Sequence, residues 1–185
     1  ITGKLPFHIL FENNQKAYAI NGAEKLAFDS LYFKGDSLHF KMELFDAEIV
    51  AKVFENKMEG VFSKKMGNLS TRKSKFTADF NQNFRFKNAN NIRQHNIQGL
   101  YQTTFFSGNQ KYEAIGKFNQ NNQNITGTFL TTTGDYRFLE GNILKDSLKL
   151  SCFDGTHVYL FKAKIKGDSL VGGTFCSSIT NIETW

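Results

Sequence analysis

Between Asn124 and Phe175 the chain breaks into five short segments of alternating apolar and polar residues, separated by turn residues. Each is strand-sized, roughly 5–10 residues, and none carries the longer i, i+3, i+4 apolar pattern that an amphipathic helix needs. Such a run folds as a β-meander, and the fold class follows: all-β and mainly antiparallel. Phenylalanine supplies the interior. There are 20 Phe against 1 Trp and 1 Pro, and a ring with no polar handle belongs in a core or a cavity wall.

The same alternation runs upstream. Leu5, Phe7, Ile9 and Phe11 mark a strand over Lys4–Phe11, with Pro6, which lacks a ladder donor, at an edge or at the strand's start. Asn13-Asn14 reads as a turn, Lys16–Ile20 as the return strand and Asn21-Gly22 as a second turn. Leu26–Phe33 and Leu38–Leu44 form a hairpin around Lys34-Gly35-Asp36-Ser37, and Ile49–Val53 pairs with Met58–Phe62. An internal repeat is visible. Asp36-Ser37-Leu38 corresponds to Asp146-Ser147-Leu148, Phe45-Asp46 to Phe153-Asp154, Ala51-Lys52-Val53 to Ala163-Lys164-Ile165, and Phe62 to Phe175. The expectation is one β domain over 1–185, with related units at about 4–63 and 112–176 joined by 64–111. In that joining part, Phe76, Ala78 and Phe80 alternate, as do Tyr101, Thr103 and Phe105, while Lys87–Gln98 reads as a long loop or a short helix.

A chain of 185 residues buries about 70% of its unfolded surface without a staple. The net charge of +6 is spread along the sequence, densest at Lys64, Lys65, Arg72, Lys73 and Lys75. Without a DNA- or RNA-binding motif that run reads as a solvated hairpin face, so no nucleic-acid partner is expected. No apolar run reaches the about 18 residues of a membrane span. A start at Ile1 rather than Met reads as a mature product whose targeting segment has been removed. Asn68-Leu69-Ser70 and Asn124-Ile125-Thr126 are glycosylation sequons only in a host that glycosylates.

Chemistry-bearing motifs are few. The 2 cysteines, Cys152 and Cys176, have neither Cys-x-x-Cys nor zinc-ligand spacing; Cys152 shares a face with Leu148 and Leu150 and is expected to be a buried thiol. His8, His39, His95 and His157 are scattered, and no metal or cofactor is implied. Asp135, Glu140 and Asp154 could supply paired carboxylates, but their spacing is uninformative. Gly35-Asp36-Ser37-Leu38 and Gly167-Asp168-Ser169-Leu170 resemble the signature of GDSL esterases, with Ser37 as nucleophile, His157 as base and Asp154 as orienter. That family is α/β, whereas here each serine falls in a hairpin turn and the Asp-Ser-Leu triplet recurs at repeat positions. The turn reading is therefore preferred.

The run Gly127-Thr128-Phe129-Leu130-Thr131-Thr132-Thr133-Gly134-Asp135-Tyr136-Arg137-Phe138-Leu139-Glu140-Gly141, and again Asp146 to Gly155, resembles the β-rich region upstream of the thioredoxin-like domain in exported TlpA-like disulfide reductase and peroxiredoxin-type proteins. The resemblance is strongest over 112–176 and weaker from Leu5 to Phe62. It implies a periplasmic or outer-envelope setting in a Gram-negative bacterium, with a C-terminal thioredoxin-like domain of the same protein as partner. The thioredoxin Cys-x-x-Cys is absent here, so no catalytic residue is carried over and this segment is expected to be non-catalytic.

The reading that follows is a meander closed, or nearly closed, into a lipocalin- or avidin-like barrel, because consecutive hairpins would otherwise expose edges. Its expected role is an accessory or recognition domain of an exported thiol-disulfide oxidoreductase. The alternative is a calycin-like carrier of a small apolar ligand. A ligand site, where there is one, is expected at one barrel mouth, built from Thr131, Thr132, Thr133, Asp135 and Tyr136, with Asp154 and His157 on the neighbouring loop.

Overall fold

The computed structural model describes residues 4–12, 16–67, 70–86, 95–177 and 181–185. The Asn13-Asn14 turn, most of the Lys87–Gln98 tract and Asn68-Leu69 of the first sequon lie outside these. The described residues are all-β apart from one 3₁₀ turn, and the chain divides into two compact units. One comprises Ile9–Ile20 and Lys25–Asn83, the other Ile1–His8, Asn21–Glu24 and Phe84–Trp185.

In chain order, β1 (His8–Glu12), β2 (Lys16–Asn21) and β3 (Glu24–Ala27) form a three-stranded sheet. Then β4 (Ser30–Lys34), β5 (Ser37–Met42), β6 (Ala47–Val53), β7 (Lys57–Met66) and β8 (Ser70–Asp79) form an open five-stranded antiparallel meander, with the 3₁₀ turn Glu43–Phe45 between β5 and β6. The strand expected over Leu26–Phe33 is in fact two. It breaks at Phe28-Asp29, where the Asp29 carboxylate accepts the Glu43 N–H at 2.6 Å. In the joining part 64–111, the alternation at Phe76 and Ala78 falls in β8, which begins earlier, at Ser70, and that at Tyr101, Thr103 and Phe105 falls in a strand over Gly99–Ser107.

The larger unit holds β9 (Gly99–Ser107), β10 (Gln110–Asn121), β11 (Asn124–Thr131), a two-residue bridge β12 (Gly134–Asp135), β13 (Leu139–Leu144), β14 (Ser147–Phe153), β15 (Val158–Lys166), β16 (Ser169–Cys176) and β17 (Ile182–Thr184). Eight of these pair in sequence order, β9-β10-β11-β13-β14-β15-β16-β17, and β17 returns to β9 through Thr184↔Phe106. The result is a closed, antiparallel, up-and-down eight-stranded barrel, and the five segments read between Asn124 and Phe175 are five of its staves.

Alternation aims every second residue of a strand at the barrel axis. There Phe105, Phe118, Phe129, Phe161 and Phe175 are essentially inaccessible to water and interlock, Phe161 stacking on Phe175 at 4.4 Å and on Phe129 at 4.9 Å between ring centroids. Tyr136 and Trp185 add to the same cluster, with centroids 4.9 Å from Phe175 and 5.0 Å from Phe129. Gly127 and Gly141 let the wall close. A Cβ on Gly127 would lie 2.2 Å from the Lys117 carbonyl oxygen, and one on Gly141 would lie 1.8 Å from that of Lys149.

Candidate functional site at one end of the barrel

Because the staves are antiparallel, alternate connections share an end. The loop 132–138 and the turn 154–157 therefore meet at one mouth, and the turns at Asn122, Asp146 and Asp168 lie at the other. The structure divides the expected residues into three groups.

Thr131, Thr132, Thr133 and Asp135 stay outside. The Thr131 hydroxyl donates to the Gly134 carbonyl at 2.9 Å and accepts the Thr133 N–H at 3.3 Å, which makes a self-contained turn. Thr131 and Thr132 also border a shallow, open depression on the outer wall with Gln102, Glu113, Ile115 and Leu130. Asp135 is exposed, and its carboxylate accepts the Arg137 N–H at 2.8 Å, fixing Arg137 in the left-handed region at φ 58°.

Tyr136 points inward. Its hydroxyl lies 2.6 Å from that of Tyr112, which donates to Glu183 Oε2 at 2.7 Å. Tyr112 has one proton and gives it to the carboxylate, so Tyr136 is the donor in the phenol pair. Burial, followed by these bonds, raises the Tyr112 pKa. Burial also raises that of Tyr136, against the lowering effect of the bond to Tyr112.

Asp154 and His157 form a dyad. Asp154 is 1% exposed. Its Oδ1 accepts N–H bonds from Thr156 at 2.9 Å and His157 at 2.5 Å, and its Oδ2 lies 2.9 Å from His157 Nδ1. A carboxylate only accepts, so Nδ1 carries the proton and, in the neutral ring, Nε2 keeps its lone pair. Burial opposes ionisation of Asp154, but the His157 side-chain bond and the two backbone donors hold its carboxyl below the usual range. Arg137 Nε approaches Asp154 Oδ2 at 3.1 Å, and the Arg137 guanidinium also pairs with Glu24. The His157 ring leans on Tyr159 at 5.3 Å, and Tyr159 on Tyr136 at 5.4 Å. Tyr136, Asp154 and His157 are thus brought together.

Each signature serine opens a strand directly after a hairpin turn. Ser37 belongs to the smaller unit, where its hydroxyl bonds Asp36 at 3.1 Å. Ser169 lies at the opposite end of β15 from His157, roughly 30 Å away at 3.3 Å per residue. Cys152 faces the barrel axis, and burial pushes its thiol up to about 12. Neither cysteine is in a disulfide: Cys152 faces inward, whereas Cys176 pairs across the ladder with Ile182 on the outer wall. Among the described residues no group of three His, Cys, Asp or Glu could hold a metal ion, and no helix is long and apolar enough to cross a membrane.

A second polar cluster, not anticipated as a unit, lies on the outer wall of β13 and β14. Glu140 accepts the Gly22 N–H at 2.8 Å and meets Arg85 Nη2 at 2.5 Å and His8 Nδ1 at 3.2 Å. The Asn21 side-chain amide pairs with the Phe153 backbone like a strand partner, at 2.8 and 3.1 Å, while the Ser151 hydroxyl bonds the Pro6 carbonyl at 2.7 Å. Asn142 Oδ1 accepts the Phe86 N–H at 2.9 Å. Burial works against ionised Glu140, but His8 and Arg85 prevail and hold its carboxyl at about 2. The bonds from Glu140, Asn21, Ser151 and Asn142 make the cluster an anchor for residues 6–8, 21–22 and 85–86. The only sequence signal was Arg85 between Phe84 and Phe86.

No family model matches this chain, nor does any curated protein or solved structure.

Proposed function

We propose that this chain is a non-catalytic recognition domain of an exported thiol-disulfide oxidoreductase, acting through its surface. The observation that carries the reading is the ring-filled barrel axis: Phe129, Phe161, Phe175, Tyr136 and Trp185 occupy the space that a carrier barrel leaves for its ligand. A small apolar ligand would have to displace packed aromatic rings, each displacement on the scale of several kcal/mol. Thiol chemistry at Cys152 is disfavoured too, because a thiol pushed up to about 12 yields almost no thiolate at neutral pH. The redox centre in this reading belongs to a thioredoxin-like domain of the same protein, as the resemblance over 112–176 implies.

The test is to clone the natural reading frame that contains residues 1–185 and assay insulin reduction by the full product, by the product lacking 1–185, and by 1–185 alone. The expected result is a Cys-x-x-Cys in the full product, no reduction by 1–185 alone, and a raised KM with little change in kcat when 1–185 is removed. A full product without a paired-cysteine motif, or thioredoxin-like turnover by 1–185 alone, overturns the proposal.

A further inference from the structure

The β7–β8 hairpin carries charge in a way that edge protection does not explain. From Gly60 to Ala78 the sequence holds Lys64, Lys65, Arg72, Lys73 and Lys75 and not one Asp or Glu. Arg72, Lys73 and Lys75 lie on β8, the sheet's outer strand, where charge guards a free edge. Lys64 has no edge to guard, because Ala47 of β6 pairs on one side of it and Arg72 of β8 on the other. That register also sets two like charges directly across from each other, which weakens a ladder. In the same unit other exposed lysines have acids beside them, Lys57 with Glu59 at 2.8 Å and Lys52 with Asp36 at 2.6 Å.

Past Lys64 the hairpin projects. β6 pairs with β7 only as far as Ala47↔Lys64, and beyond it Lys65↔Thr71 and Met66↔Ser70 join β7 to β8, with one further bond from the Lys65 N–H to the Asp46 carbonyl at 3.0 Å. Alternation puts Lys65, Lys73 and Lys75 on one face of this ribbon and Lys64, Arg72 and Met66 on the other. Every residue of β8 from Ser70 to Lys75 is exposed, as are Lys65 and Met66, the latter at 42%. Both faces are therefore basic, and an apolar thioether stands at the last rung.

A partner lying flat on the sheet would meet one face only. Charge on both faces with an apolar group foremost fits an end-on approach into a layer that is anionic at its surface and apolar beneath, which is the profile of a membrane leaflet containing acidic lipids. Lys65, Arg72 and Lys73 stand within about 10 Å of the last rung along the ribbon, one screening length at moderate salt. No aromatic ring or side-chain amide occupies a ladder position from Ser63 to Met66 or from Ser70 to Lys75, so the ribbon has little with which to stack on or read nucleic-acid bases.

We propose that the β7–β8 hairpin docks this protein, tip first, on membrane surfaces rich in anionic lipid headgroups, with Met66 entering the boundary between headgroups and acyl chains and Lys65, Arg72 and Lys73 among the headgroup phosphates around it. The attachment is peripheral and electrostatic, with one apolar contact to fix its orientation. It goes beyond the redox setting above and does not rest on it: the insulin assay is run without lipid, so either reading can fail while the other stands.

The probe is a vesicle of phosphatidylcholine with about 30% phosphatidylglycerol, mixed with the 1–185 chain carrying isotope-labelled methionine methyl groups. The chain should sediment with these vesicles, stay in solution with pure phosphatidylcholine, and be released in about 1 M salt, where the screening length falls to about 3 Å. The 3 methionines report orientation: Met42 and Met58 are buried at 3% and 2% exposure, so a spin label on the lipid headgroup should broaden the Met66 methyl resonance alone. Each basic residue at an anionic surface strengthens attachment about fivefold, so Lys65→Gln/Arg72→Gln/Lys73→Gln should weaken it about a hundredfold with the urea midpoint unchanged. Lys162→Gln/Lys164→Gln/Lys166→Gln on the exposed wall of β15 removes the same charge and should weaken it by less than about threefold. Equal losses in the two triple variants would reduce the effect to net charge, and tighter binding to duplex DNA than to vesicles would reassign the ribbon to nucleic acid. Either result, equal sedimentation with neutral vesicles, or an unbroadened Met66 methyl would overturn the proposal.

Discussion

The open meander β4–β8 and the barrel β9–β17 share their local rules yet end differently. Asp36 and Asp146 each occupy a turn, followed by a strand whose second, fourth and sixth residues are buried: Leu38, Phe40 and Met42 in one, Leu148, Leu150 and Cys152 in the other. The cross-strand partners also correspond, Leu38↔Ala51 with Leu148↔Ala163 and Phe40↔Ile49 with Leu150↔Phe161. What differs is side-chain volume on the inward positions. The open sheet's unit buries alanines at 17, 19, 47 and 51 with a local ring group of Phe11, Phe28 and Phe40, whereas five phenylalanines, Tyr136 and Trp185 converge on the barrel axis. Hairpin sequence sets the register; inward volume decides whether a meander closes around a common core or stays a sheet with two edges.

The edges bear this out. At β8 the residues Arg72, Lys73 and Lys75 are exposed, and charged side chains on an outer strand discourage pairing with another chain. The barrel needs no such device along its paired staves.

The comparison breaks most sharply at the axis. Phe161→Ala should cost about 3–5 kcal/mol, because a ring touching Phe129, Phe175 and Tyr136 leaves a cavity that the closed wall cannot collapse. Trp185, the only tryptophan, lies in that cluster, so its fluorescence during urea unfolding reads the barrel directly. Phe40→Ala should move the far-ultraviolet circular dichroism transition by less than Phe161→Ala does, since an open sheet relaxes into the space. Equal effects would remove inward volume as the distinction.

Next come the carboxylate–histidine pairs. Glu140 meets His8 within a covered polar cluster, and Glu48 meets His39 at 2.8 Å on the open sheet. Glu140→Gln leaves Arg85, 4% exposed, without its carboxylate and should cost about 2–3 kcal/mol. Glu48→Gln should cost at most about 0.5 kcal/mol. The sign with pH is fixed by the depressed Glu140 pKa. Its contribution is complete above the unfolded carboxylate value near 4.3 and is lost as pH falls through about 2. Urea midpoints of the native chain and Glu140→Gln should therefore differ at pH 6 and converge toward pH 2; a constant gap would mean that the carboxylate's charge is irrelevant.

Much of this was legible from period two. The strands β2, β5, β6, β9, β11 and β13–β16 each carry the alternation, and closure was anticipated from the number of successive hairpins. Two features hid the rest. β8 is exposed from Ser70 to Lys75, so solvent on both faces erased the pattern there and made a strand read as linker. The break at Phe28-Asp29 depends on an Asp29–Glu43 bond that alternation cannot reveal. At the mouth, Asp135 faces water and Tyr136 turns into the core opposite Phe129, as strand alternation requires, so a site gathering both on one surface was ruled out by parity itself. The polar cluster was hidden because Glu140 and Asn142 occupy outward positions that would face solvent but for segments more than 50 residues away in sequence.

Turn acids give a smaller contrast. Asp154→Asn should cost about 1–2 kcal/mol by weakening a buried acceptor of three bonds. Asp36→Asn, whose side chain is 70% exposed, should leave the midpoint unchanged. Amide exchange at Thr156 and His157 should rise in the first variant alone. If it does not, the dyad is not what orders that turn.

The smallest effect is expected at Ser37. Among the described residues its hydroxyl bonds Asp36 alone, in an exposed turn, so Ser37→Ala should cost at most about 1 kcal/mol, the scale of one local hydrogen bond. Hydrolysis of p-nitrophenyl acetate should be the same in the native chain and the variant. The dyad Asp154–His157 has a lone pair to offer, but a general base needs a nucleophile within about 3 Å, and Ser37 already has a local partner in its own turn. A hydrolysis rate that disappears in Ser37→Ala while the unfolding midpoint holds would make Ser37 a reacting group, and the reading of it as a turn residue would have to be abandoned.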